Sequence, residues 1–317
     1  VTRAAQKDVV RIGLSAAIVS VAEERPRVLV VHHPKSPDAL PFGQFDPLGH
    51  RTLESGLRSW VNEQTGTRLG YVEQLYTFGD RGRHQLEPGE ARVVSVGYLA
   101  LTRASVEPST SDTMWRDWYL HFPWEDWRSA RPEIIDAAII PALKAFVKRA
   151  SGADAELRRE RARLAFGFDG PSWDEEKVLE RYELLYEAGL VEEAKRDGRE
   201  IAGQQTLGVS MTFDHRRILA TAIARLRGKM KYRPVVFELM PPQFTLLELQ
   251  RTVEAITGMR LHKQNFRRLV EDQGLVERTG KMAVAARGRP AELFRFRREV
   301  ISERPAPGMR MGGRRSA

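Results

Sequence analysis

Lys263, Gln264, Arg267 and Arg268 crowd one short stretch, and further on Arg287 and Arg289 flank a single glycine. Guanidinium and amide groups can pair with base edges in two places at once, and an ammonium pairs with phosphate as a point charge. Arg287-Gly288-Arg289-Pro290 is a poor core element, but two guanidiniums around a residue without a side chain suit the narrow groove of a duplex. The chemistry on offer is therefore recognition of a polyanion. His32 and His33 are the other ligand-type pair, but adjacent strand residues point to opposite faces, so the two cannot serve one metal.

Positioning these groups requires a particular order of elements. Thr245 followed by Glu248 is a capping box, which starts a helix. Leu246, Leu249, Val253 and Ile256 recur along one face of it, and Gly258 stands where a C′ glycine ends a helix. A second helix follows, with Phe266, Leu269 and Val270 turned inward and the basic residues left outside near its N-terminal end. LVERTG and ELFRF then read as two strands joined by the arginine-bearing loop. Two helices and a basic hairpin in this order make a winged helix-turn-helix, whose second helix enters the major groove. The alternative is a small structural domain with an ordinary solvated face; charge, order and spacing together speak for the first.

The chain has 317 residues, enough for two cores, and carries 51 basic against 42 acidic side chains, a formal charge of +9. From Asp214 onward there are 23 basic and 10 acidic residues, a net of +13, and the preceding part has 28 and 32, a net of -4. A slightly acidic domain joined to a strongly basic one points to nucleic acid. Membrane lipid fits less well, because the basic residues do not back a broad apolar helix face. Cysteine is absent, which excludes disulfides and thiolate metal sites. No apolar run is long enough to span a bilayer and no signal-type apolar stretch occurs, so a cytoplasmic protein is expected.

Before the basic part, residues 9 to 21 and 27 to 33 read as strands around the turn AEERP. A helix is expected from Thr52 to Gly66 with Leu53, Leu57 and Val61 inward, then strands over 71 to 83 and 93 to 101. Trp115 to Trp127 is dense in aromatics and reads as a wall of the core. An amphipathic helix from Pro132 with a kink at Pro141 follows, then the charged stretch ELRRERARLAFGFDG, whose beginning reads as a linker or helix end. Ser172 and Glu175 are expected to cap a further helix, Asp214 to cap another, and VVFEL to form a strand.

The stretch from Leu40 to Asp80 resembles the Nudix family, whose box is a glycine, a glutamate and then Arg-Glu-hydrophobic-x-Glu-Glu-x-Gly. Anchored on EQTG, the matching positions here are Ser59, Trp60, Val61, Asn62, Glu63 and Gln64 ahead of Gly66, with the upstream glutamate replaced by Arg51. Only Glu63, Val61 and Gly66 keep the pattern, and Glu54 is the one nearby carboxylate that could stand in. Mg²⁺ on a diphosphate needs several anionic oxygens, so no metal site and no catalytic residue are expected, and hydrolysis is expected to be absent or slow. QLYTFGD with Arg81 and Arg83, followed by VVSVGYLAL, is similar to the ADP-ribose-handling branch. There the arginines would grip a pyrophosphate and Tyr76 or Phe78 would stack on a base, beside Glu63. Arg81 and Arg83 could equally be loop surface.

The order of this degenerate box, FDHRRILATAIARLR, FELMPPQFTLLELQ, NFRR and GRPAELFRF resembles the Nudix-related regulators of NAD metabolism, the NrtR family. The resemblance implies an α+β fold: a Nudix-like α/β/α sandwich with a mixed sheet, then a winged helix-turn-helix. It divides the chain into a sensing domain over 1–210 with extra helices about 132–190, a DNA-binding domain over 211–300 and a disordered basic tail over 301–317. It implies a homodimeric repressor of NAD synthesis or salvage genes that senses ADP-ribose or a related NAD-derived nucleotide and needs no cofactor. By position the family's DNA contacts fall on Thr245, Lys263, Asn265, Arg267, Arg268, Arg287 and Arg289. Two rivals stand beside it: an active ADP-ribose pyrophosphatase with a nucleic-acid-binding appendage, and an architectural DNA binder whose first domain only dimerises.

Overall fold

A computed structural model describes residues 10–79, 92–103, 110–199, 207–283 and 290–309. Strand β1 (Val10–Ala22) turns into β2 (Arg25–Val31) through Glu23 and Glu24, both at positive φ (50° and 62°), the backbone a two-residue hairpin turn requires. A short β3 (Phe42–Gln44) leads to helix α1 (Leu53–Thr65), followed by β4 (Tyr71–Phe78), β5 (Arg92–Leu101) and β6 (Thr113–Asp117). These strands form one mixed sheet in the order β4-β5-β1-β2-β6, with β3 also paired to β1; β1 and β5 run parallel and the other pairs antiparallel.

Period-two alternation along the central strands explains the layers. Leu14, Ala16 and Ile18 of β1, with Tyr98 and Ala100 of β5, face α1 and bury its Leu57 and Val61. Ala17 and Val19, with Leu99 and Leu101, face the opposite side. That side is covered by α6 (His215–Met230), whose Ile218 lies close to Gly97 of β5. Buried on both faces, β1 reads as a continuous apolar run.

α1 has the ends foreseen for it: Thr52 and Ser55 cap each other's backbone N–H groups, and Gly66 closes the helix at φ 65°. After β6 the chain passes through two turns of 3₁₀ helix (118–120 and 123–125) in the aromatic segment, and Trp118, Phe122 and Trp124 are fully buried. The kink near Pro141 takes the form of a π-helical stretch, Ile135–Ile139, running into α2 (Ile140–Lys148): Pro141 has no N–H to continue the α ladder. Helices α3 (Gly152–Phe166), α4 (Val178–Glu187) and α5 (Glu192–Arg196) then lead back to α6.

Four expectations are corrected here. ELRRERARLAF is the body of α3, which closes at Gly167; its charges pair at three-residue spacing, Arg159 with Glu156 and Arg163 with Glu160. α4 begins at Val178, not at Ser172, because the Asp174 carboxylate accepts the Glu176 N–H in a local turn while Trp173 packs on Trp127 at 4.4 Å. VVFEL is a 3₁₀ turn (235–238) that stacks Phe237 on Phe296 at 4.3 Å. After residue 301 the chain stays exposed through residue 306 and then docks at 307–309, where Met309 is buried and donates its N–H to the Met230 carbonyl at 2.8 Å; residues 310–317 lie outside the described residues.

The C-terminal elements are α7 (Leu246–Thr257), α8 (Lys263–Asp272), β7 (Val276–Ala283), β8 (Ala291–Phe296) and a single turn, α9 (Val300–Glu303). Phe244 and Phe294 exchange both backbone hydrogen bonds (3.0 and 2.8 Å), which ties the hairpin to the start of α7.

Candidate nucleic-acid interface and effector pocket

Helix α8 is anchored by Phe266 and Val270. Lys263, Gln264, Asn265, Arg267 and Arg268 are all exposed on it. None of its three cations is ion-paired to a described carboxylate. Glu271 and Asp272 stand at the other end. Cations near a helix N-terminus oppose the helix dipole, and they are left without local compensation, a pattern that favours an external phosphate.

Thr245 sits elsewhere, at the N-cap of α7. Its hydroxyl accepts from the Glu248 N–H at 3.2 Å and donates to the Glu248 carboxylate at 3.0 Å, which in turn takes the Thr245 N–H at 2.7 Å. The side chain is occupied in the capping box. What remains for an external ligand is a lone pair of its oxygen.

In the hairpin, Arg295 pairs across the strands with Glu277 and Arg278 with Glu292, and Lys281 is exposed beside a bulge at Gly280. These wing cations were not singled out from sequence, although strand alternation places them on its surface. Arg287 and Arg289 lie outside the described residues.

On the Nudix-like side, two of the positions that depart from the box, Trp60 and Gln64, have structural partners. The Trp60 indole N–H donates to the Gln44 carbonyl at 2.7 Å, and its ring lies where a side chain on Gly43 would stand. Gln64 accepts the Phe42 N–H at 3.2 Å and donates to the Phe42 carbonyl at 2.7 Å, acting as a one-residue strand partner. Both residues clamp α1 to β3. Glu63 is exposed and accepts from the Ser59 hydroxyl at 2.8 Å, while Glu54 is held by Arg58. Among the described residues no three His, Cys, Asp or Glu side chains gather closely enough to hold a metal ion.

The expected base platform divides into two unlike residues. Tyr76 is 63% exposed and meets Phe78 edge-on at 5.5 Å. Phe78 is 2% exposed, wedged against Gly97 and covered by the Arg217 guanidinium at 5.5 Å, so the expectation that it could stack on a base is corrected: no ring face is free. Phe78 also belongs to the sheet face away from α1, so the structure does not bring it together with Glu63. Arg81 and Arg83 lie outside the described residues.

Where the two halves meet, a buried carboxylate that sequence reading missed organises the junction. Glu125 accepts two hydrogen bonds from Arg181 of α4 (2.5 and 2.9 Å) and one from Arg227 of α6 (2.7 Å), and all three side chains are essentially unexposed. Arg227 also donates to the Ile256 carbonyl of α7 at 2.8 Å. The Tyr119 hydroxyl donates to the Ala255 carbonyl at 2.8 Å, and the Trp127 N–H to the Gly258 carbonyl at 2.7 Å. Burial pushes the Tyr119 phenol up to about 12, so it stays a donor. Glu125 looks like one polar residue in an aromatic run, and Arg181 and Arg227 look like solvated helix positions; no local signal joins them.

The fold and these sites define a Nudix-like α/β domain followed by a winged helix domain. Residues 236–296 match the family profile of the NrtR DNA-binding winged helix domain, so the carboxyl-terminal part of the chain is similar to that domain. The ADPR-responsive transcriptional repressor NtrR of Acinetobacter baylyi is 44% identical over 93 residues, 29% of this chain and 37% of that protein; the match thus spans little more than a third of the relative's length. The crystal structure of Shewanella oneidensis NrtR complexed with a 27mer DNA superposes with a TM-score of 0.53 at 22% identity, over 92% of this chain and 95% of that one. A MutT/nudix family protein from Enterococcus faecalis gives 0.50 at 15% identity, over 93% and 90%. These superpositions establish the fold, including the mixed α+β arrangement of the first domain.

Proposed function

We propose that this chain is a DNA-binding transcriptional repressor of NAD synthesis or salvage genes, and that its Nudix-like domain senses ADP-ribose or a related NAD-derived nucleotide without hydrolysing it. The observation that carries the reading is the exposed trio Lys263, Arg267 and Arg268, unpaired with any described carboxylate, on the second helix of a winged helix domain. The Acinetobacter relative, named as an ADPR-responsive repressor, supports it. In this reading the sensing domain spans 1–210 with extra helices about 132–190, the DNA-binding domain 211–300, and a basic tail follows. α6 lies in the second span but packs on the sheet of the first, so it is the element through which the two communicate.

Two copies bind a roughly palindromic operator, with α8 of each in successive major grooves and the wing tips in the flanking minor grooves. Asn265 joins the three cations on α8. Thr245 contributes through its remaining lone pair, and Arg287 and Arg289 through the tip. Tyr76, Glu63, Arg81 and Arg83 serve the nucleotide. The effector shifts the equilibrium between two dimer geometries, and a coupling of about 1 to 3 kcal/mol changes DNA affinity roughly 5- to 150-fold. Such a regulator works in the cytoplasm. Loss of hydrolysis follows from Trp60 and Gln64, whose structural hydrogen bonds replace carboxylates.

The test is DNA binding to the upstream region of its own gene with and without ADP-ribose, run beside an ADP-ribose hydrolysis assay with Mg²⁺. Salt-sensitive binding that ADP-ribose alters, without turnover, is the expected result. Turnover together with DNA affinity indifferent to the nucleotide would establish the pyrophosphatase reading instead.

A further inference from the structure

The helices inserted between the sheet and α6 hold a cationic hollow that includes neither the cations of α8 nor Glu63 and Tyr76 of the Nudix-like domain. Two adjoining hollows of about 330 and 430 Å³ share the lining residues Phe146, Arg158, Glu187 and Arg199. The first adds Arg149, and the second adds Arg161 and Asp154. Four guanidiniums thus face two carboxylates, and only one of those pairs is closed: Arg161 grips Glu187 with hydrogen bonds of 2.6 and 2.8 Å. Arg149, Arg158 and Arg199 form no ion pair with a described carboxylate.

These three cations are nonetheless held in place. The Arg158 guanidinium lies 4.1 Å from the Phe146 ring centroid and donates to the Phe146 carbonyl at 3.1 Å. Arg149 approaches the same ring from 5.8 Å, and Arg199 rests 4.8 Å from the ring of Tyr186. Stacking on an aromatic face costs a guanidinium few of its N–H donors, so they stay available while the group is oriented. Three oriented forks around one concavity are a phosphate-binding arrangement.

We propose that this hollow binds a small phosphorylated molecule that also carries hydroxyl groups, distinct from the nucleotide sensed by the Nudix-like domain. Arg149, Arg158 and Arg199 take the phosphate, and Asp154 and Glu187 accept hydrogen bonds from the hydroxyls. The two carboxylates are what selects against a DNA strand, since they would repel a continuous run of phosphates. α4 carries both Glu187 of this hollow and Arg181 of the buried junction, so a ligand here sits on the helix that reaches α6.

The test is calorimetric titration of the full chain with ribose 5-phosphate and, separately, with inorganic pyrophosphate. It is repeated on Arg149→Gln/Arg199→Gln, two exposed positions outside the core. A thermal melt equal to that of the parent shows that the variant is folded, and Arg149→Lys/Arg199→Lys, which keeps the charge, is the second variant. Saturable binding of ribose 5-phosphate that the glutamine variant weakens on the order of 10- to 100-fold, as loss of two charge-assisted hydrogen bonds requires, supports the site, and partial recovery in the lysine variant supports it further. Absence of binding by the parent chain overturns it. Binding that both variants retain in full overturns it equally, as does tighter binding of pyrophosphate than of ribose 5-phosphate, because the hydroxyl acceptors would then have no role.

Discussion

Arg227 hydrogen-bonds Glu125 at 2.7 Å with one nitrogen and the Ile256 carbonyl of α7 at 2.8 Å with another. One side chain on α6 thereby joins the aromatic segment that leaves the sheet to the last turn of the helix preceding α8. Because Arg181 holds the same carboxylate from α4, the inserted helices, the sheet and the winged helix share one buried polar centre. Buried ion pairs add little over well-packed apolar groups, but their partial removal is costly, so this centre holds a geometry more than it adds stability.

Glu125→Gln is therefore expected to lower stability by about 3 to 5 kcal/mol, since it leaves two buried guanidiniums facing a neutral amide. Urea denaturation measures it. A loss below about 1 kcal/mol would mean that water or another group already compensates the arginines.

Gly258 offers a second route to the same junction. It ends α7 at φ 73°, and a Cβ there would stand 2.2 Å from the Glu125 carbonyl oxygen. Gly258→Ala must both strain the backbone and part the two segments, for a loss of at least about 2 kcal/mol. If the stability falls by only a few tenths, the close approach is not kept in solution.

For the DNA-facing helix, each of Lys263→Ala, Arg267→Ala and Arg268→Ala is expected to weaken operator binding by about 1 to 3 kcal/mol. Salt titration sorts the roles. A residue on phosphate flattens the plot of log K against log salt by about 0.9 and acts on every sequence alike, whereas one on a base edge lowers the preference for the operator. No loss from any of the three would remove α8 from the interface.

Much of this was legible wherever one short segment carried its own signal. The capping box at Thr245, the helix start at Thr52, the closing glycines 66 and 258 and the apolar, β-branched run of β1 all act within a few residues, so pattern predicts them. The misread elements were decided at long range. VVFEL has the β-branched composition of a strand, but Phe237 gains more by stacking on Phe296, so the segment coils into a 3₁₀ turn. α3 buries only Ala162, Ala165 and Phe166 and shows no apolar stripe. Phe78 and Tyr76 looked alike in sequence, and a register shift of β4 between Gln74 and Thr77 decides which one is enclosed. Glu125 was invisible because its partners lie 56 and 102 residues away.

Gln64→Glu tests whether the departures from the Nudix box are structural. The substitution removes the donor to the Phe42 carbonyl and sets a carboxylate against that oxygen. We expect a loss of about 1 to 3 kcal/mol and no gain of ADP-ribose hydrolysis with Mg²⁺. Turnover in the variant would mean that one restored carboxylate completes a metal site with Glu63.

His121 gives the chain a pH dependence on the acid side. Its ring is buried: Nδ1 is 2.9 Å from the Val209 carbonyl and must carry the proton to donate to it, while Nε2 has no partner among the described residues. Burial lowers its pKa from 6.5 to about 4. Between those values the unfolded chain binds a proton that the folded chain refuses. Stability is therefore full above about pH 6.5 and falls as the pH drops toward 4, by on the order of 3 kcal/mol for this group. His121→Asn, whose amide can keep the bond to Val209, should flatten that part of the stability curve measured by denaturation at pH 7, 5.5 and 4.5. An unchanged slope in the variant would assign the acid sensitivity to other groups and leave the buried ring without a role in it.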